Sequence, residues 1–140
     1  MFEFILLVNA IWFGMGFHVF ALRSKIFAKT LVPRAHRDSP VFDMFVETGK
    51  FLGGFNFAFC ALNVLVLINP GVFPEGNQRM ILCVVFALAH GSQFFANVPI
   101  ALANQKGKGA WQVKGRMRFI FITDFVLMLV NLVIAVMYVW

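Results

Sequence analysis

Charge is scarce in this chain, and acid is scarcer still. Charged residues make up 13% of the sequence, and only six of its 140 positions are Asp or Glu. An ordinary soluble domain carries about 25% charged residues, so a soluble protein of this length and composition would have too few groups to cover its surface. Cysteine is limited to Cys60 and Cys83. They form no Cys-x-x-Cys pair and lie in apolar sequence, which reads as buried thiols. There is no His-x-x-x-His, no acid-rich metal motif and no nucleophile elbow, so no metal site is expected. Gly14 and Gly16 do not make a nucleotide loop, because no strand precedes them and no third glycine follows. The start of the chain has neither a basic n-region nor a small-residue cleavage site, and Phe2–Leu22 therefore reads as a retained helix rather than a signal peptide.

Long apolar runs are what the chain has instead. Hydrophobic residues reach 61%, and four stretches at about 2–22, 48–68, 80–103 and 119–140 contain most of them. A hydrocarbon core about 30 Å thick is crossed by about 20 helical residues at about 1.5 Å each. The expected fold is all-α: a single integral membrane domain over 1–140, built as a polytopic bundle of four transmembrane helices.

The net charge of +6 suggests nucleic acid until the bases are located. Arg23, Lys25, Lys29, Arg34 and Arg37 fall in the first loop, and Lys106, Lys108, Lys114, Arg116 and Arg118 in or beside the third. The second loop, Asn69–Arg79, has only Arg79 and Glu75. Alternation of this kind is a topology signal. It places loops one and three in the cytoplasm and both termini on the other side, as in a multi-pass protein of a bacterial inner membrane, with no nucleic-acid partner. Ile26, Phe27 and Leu31 are expected to face lipid on a basic amphipathic turn over Arg23–Leu31. Gly107 and Gly109 suggest a mobile third loop.

Polar side chains inside the spans mark the faces that point inward. Asn56 and Asn63 lie seven residues apart, as do Asp124 and Asn131, while His90, Gln93 and Asn97 share another face. Counted from the basic-loop ends, His18, Asn56, Asn97 and Asp124 fall at similar depth, which suggests a layer in which His18 faces Asp124. A carboxylate beside an imidazole suits proton transfer or the orientation of a polar ligand head. The candidate ligand-binding residues are therefore His18, Asn56, His90, Gln93, Asn97 and Asp124. The competing structural readings are a helix-end role for Asp124, a headgroup contact for His18 and interhelical hydrogen bonds for the amides. His18 and His90 differ in depth by about 11 Å, which disfavours a haem held between them. Gly49-x-x-x-Gly53, Gly54-x-x-x-Ala58 and Ala87-x-x-x-Gly91 are candidate close-approach faces, and Pro99 is expected to open space beside Asn97.

Four short helices, with Glu47 leading into Gly53-Gly54 at the start of the second, resemble small DoxX-like membrane proteins. The resemblance implies association with quinone-linked redox complexes and transfers no functional residue. The sequence thus leads to a noncatalytic subunit or assembly partner, surrounded by lipid and by other membrane subunits or copies of itself. Two alternatives stand beside it. One is a binder or transformer of a hydrophobic small molecule (quinone, sterol or isoprenoid), with a quinone or lipid as the bound group. The other is a proton-coupled channel or transporter.

Overall fold

The structure is a computed structural model that describes residues 1–139. Helix α1 (Phe2–Phe17) runs on into a π-helical turn, His18–Leu22, followed by α2 (Ser24–Leu31) and a 3-10 turn at Arg34–His36. Three long helices complete the chain: α3 (Pro40–Ile68), α4 (Gly76–Gln105) and α5 (Arg116–Met137). No strand occurs among the described residues. Phe2–Leu22, α3, α4 and α5 are each long and apolar enough to cross a bilayer. The protein is all-α and multi-pass.

The helix ends differ from the apolar runs for local reasons. Ser39 is extended and Pro40 takes the first helical position of α3, where its fixed φ fits and its missing N–H is not needed. Glu75 and Gln78 form a capping box that starts α4 at Gly76, satisfying orphan amides before the apolar run begins. Gly115, at φ 54°, turns the chain into α5. The last position of the expected fourth helix, Trp140, lies outside the described residues.

The chain forms two compact units. In the unit Glu3–Asn69, helix one (α1 with its π-helical turn) and α3 are antiparallel and come together through small residues. A Cβ on Gly53 would sit 2.6 Å from the Ala21 backbone nitrogen, and one on Gly16 would overlap the Asn56 carboxamide. Gly54, by contrast, has nothing within 4 Å of a Cβ, so of the adjacent pair only Gly53 makes a helix contact. Phe13 stacks on Phe59 with ring centroids 5.0 Å apart, and Phe17 meets Phe57 at 5.1 Å. The first turns of α3 pack on α2 through Ala28, Phe42 and Val46. Arg37 closes the far end of α2: its Nε donates to the Val32 carbonyl at 2.9 Å and its Nη2 to that of Lys29 at 2.6 Å. These are carbonyls that a helix C-terminus leaves without partners. Of the three α2 side chains expected to face lipid, Ile26 is exposed, but Phe27 and Leu31 are half-buried, and the Phe27 ring meets Phe20 edge-on at 4.5 Å.

The second unit comprises residues 1–2 and 70–139, and its body is an antiparallel hairpin of α4 and α5. Phe94 packs on Phe121 and Phe125, with centroids 4.7 and 4.8 Å apart. Ala87 and Gly91 are both buried, and a Cβ on Gly91 would lie 3.1 Å from the Met128 sulfur. The Ala87-x-x-x-Gly91 face is thus a packing face.

Candidate functional site

At the centre of the α4/α5 hairpin an imidazole meets a carboxylate. His90 Nδ1 lies 3.1 Å from Asp124 Oδ1, and the side chains are 0% and 1% exposed. Ionised groups removed from water are destabilised by several kcal/mol each unless they compensate one another. Here the two side chains meet in a direct Nδ1–Oδ1 contact. Cys83 and Phe86 on α4, and Asn131 on α5, are also buried to 0%. Cys83 stands seven residues before His90 and Asn131 seven after Asp124, so both extend the same inward faces by two turns.

The partner of Asp124 is therefore His90, where the sequence had pointed to His18. His18 is exposed, in the π-helical turn of the other unit. The expected depth layer also divides within the hairpin. Asn97 is two turns beyond His90, about 10 Å along α4, and holds the loop instead: its Oδ1 accepts from Trp111 Nε1 at 3.2 Å. Gln93 lies between the two and is half-buried. Asn56 is buried against Gly16 in the Glu3–Asn69 unit.

The loop accounts for this shift in register. The chain reverses immediately after α4, and the segment up to Gly115 returns along the last turns of that helix. Asn104 organises the return, its Nδ2 donating to the Lys108 and Trp111 carbonyls at 2.9 Å each and its Oδ1 accepting from the Val113 amide at 2.7 Å. Gly107 and Gly109 take positive φ, at 70° and 126°, and a Cβ on Gly109 would strike Asn104 Nδ2. These glycines thus permit a specific hydrogen-bonded loop. Because the returning strand of loop flanks the end of α4, α5 begins about two turns lower. That places Asp124 level with His90 instead of Asn97. Asn104 and Trp111 are the residues that sequence reasoning missed. A tryptophan in a Gly/Lys loop, within reach of a helix-end asparagine, was the available signal.

Four intramembrane asparagines use their amide nitrogens on their own helices. Asn56 donates to the Leu52 carbonyl, Asn63 to Phe59, Asn97 to Gln93 and Asn131 to Leu127, at 2.8–2.9 Å. This four-residue back-bond satisfies one amide N–H of each within its own helix. Among these polar groups the His90–Asp124 contact links two spanning helices directly.

Fold and site together define a multi-pass helical membrane protein with a buried carboxylate–imidazole pair. Comparison with protein-family models, curated proteins and solved structures finds no match to the chain.

Proposed function

We propose that the protein binds a hydrophobic small molecule with a hydrogen-bonding head, of the quinone class, and that His90 and Asp124 are the groups that engage it. The observation that carries this reading is the chemistry of the buried pair. A polar fastening between membrane helices needs no ionisable group, since uncharged amides can make interhelical hydrogen bonds at lower desolvation cost. Carboxylate and imidazole together add the capacity to hold and release a proton, which makes an intramembrane pair a functional site by default. His90 Nδ1 is directed at Asp124, so a ligand head that engages the pair exchanges hydrogen bonds with the imidazole and the carboxylate. Neutral imidazole accepts from a hydroxyl, and imidazolium donates to a carbonyl. The quinone class presents both groups in its two redox forms, and its members partition into the apolar phase that surrounds the hairpin.

The experiment is mass spectrometry of small molecules retained by protein extracted from native membranes. Wild type is expected to carry a hydrophobic ligand that Asp124→Asn loses while its helical content is unchanged. Wild type that retains no such ligand, or a variant that retains it equally, would overturn the reading.

A role as a noncatalytic subunit within a membrane complex or homo-oligomer is the second reading. It is favoured by the organisation of the chain, whose described residues are almost wholly spanning helices and the links between them. We further propose that both basic loops face the cytoplasm, which labelling of single cysteines placed at Lys108 and Val72 would test.

A further inference from the structure

We propose that the third loop, with the first turn of α5, is a binding site for anionic phospholipid headgroups. Lys106, Lys108, Lys114, Arg116 and Arg118 are all exposed. No acidic residue occurs between Glu75 and Asp124. Asp124 is buried beside His90, and Glu75 caps the opposite end of α4. The hairpin therefore supplies no carboxylate near these five cations, and the anions that neutralise them come from outside it.

Their backbone is shaped, and this distinguishes the loop from a merely basic tether. Asn104 ties the Lys108, Trp111 and Val113 main chain together, and the Trp111 indole is bonded to Asn97. The cations are thus carried on a fixed turn. Its depth selects the partner. Helix α4 has 30 residues, about 45 Å of helix, which exceeds the apolar thickness of a bilayer by about 15 Å. Its end, and the loop folded back along it, stand at the headgroup level, where tryptophan is the favoured anchor. Phosphates of the surrounding leaflet are the most abundant anions at that height. Each Lys or Arg near such a surface strengthens the attraction by about fivefold in affinity.

The test places the full-length protein in nanodiscs of phosphatidylglycerol and phosphatidylcholine in equal parts, and counts by native mass spectrometry the lipids that remain on the chain. Wild type is expected to retain phosphatidylglycerol preferentially. Two variants separate charge from shape. Neutralising four exposed cations together (Lys106→Gln, Lys108→Gln, Lys114→Gln and Arg116→Gln) should reduce the preference more than tenfold, leaving what the basic first loop holds, without touching a buried side chain. Asn104→Ala keeps every charge but releases the loop, and should reduce the preference severalfold. Equal retention of the two lipids by wild type would overturn the proposal, as would an Asn104→Ala variant as selective as wild type. Inorganic phosphate that displaces the retained phosphatidylglycerol as well as added lipid does would also overturn it, by assigning the site to free phosphate. Capture of an acidic polypeptide without lipid enrichment would do the same by assigning it to a protein.

Discussion

Asp124→Ala is expected to destabilise the protein by about 1–3 kcal/mol, the loss typical when a buried polar group is deprived of a hydrogen-bond partner. The substitution leaves the His90 imidazole, 0% exposed, without the carboxylate 3.1 Å away that compensates it. It also leaves a void between α4 and α5 where the carboxyl stood. Asp124→Asn should cost much less, because its carbonyl oxygen still accepts from a neutral imidazole Nδ1–H and the volume is kept. The corresponding pair at position 90 is His90→Ala, a large loss, against His90→Gln, a smaller one. Denaturant titration of the protein in mixed micelles would give the order. A structural role alone predicts only that ranking. The proposed function adds that Asp124→Asn, though folded, fails to retain ligand.

The second large effect lies in the Glu3–Asn69 unit and contrasts neighbouring positions. Gly53→Ala places a methyl group 2.5 Å from the Ala21 Cβ and 2.6 Å from its backbone nitrogen. No side-chain rotation relieves a clash with backbone, so helix one and α3 must separate, at a cost of about 1–3 kcal/mol. Gly54→Ala meets nothing within 4 Å and should stabilise the helix, since alanine is favoured over glycine in helices by about 1 kcal/mol. Thermal unfolding of the two variants is expected to shift in opposite directions. Equal shifts would mean that α3 presents a different face to helix one.

Much of this architecture was legible from residue order. Four apolar runs of bilayer length are a strong signal, because no other arrangement buries so many Phe, Leu and Val residues with so few charges. The inward faces were legible too: Asn56 with Asn63, and Asp124 with Asn131, are all buried, as helical periodicity requires. Depth was not. Apolar runs that end at Ala103 and begin again at Phe119 read as helices joined by a loop that merely spans the gap. The folding of residues 106–115 back along α4 depends on a few hydrogen bonds from Asn104 and on three positive-φ glycines, and hydropathy does not register either. The folded-back loop shifts Asp124 by two turns along the hairpin, level with His90. Likewise, Gly53 and Gly54 are equivalent in a small-residue motif, and only the packing of Ala21 distinguishes them.

The pairing itself is open to one direct measurement. Solid-state NMR on protein in lipid bilayers, with 13C at the Asp124 carboxyl and 15N in the His90 ring, reads the dipolar coupling between the two groups. Contact across the α4/α5 hairpin predicts a strong carbon–nitrogen coupling, confined to one ring nitrogen and assigned to Nδ1. The absence of coupling to either nitrogen of His90 would contradict it, and with it the site on which the proposed function rests.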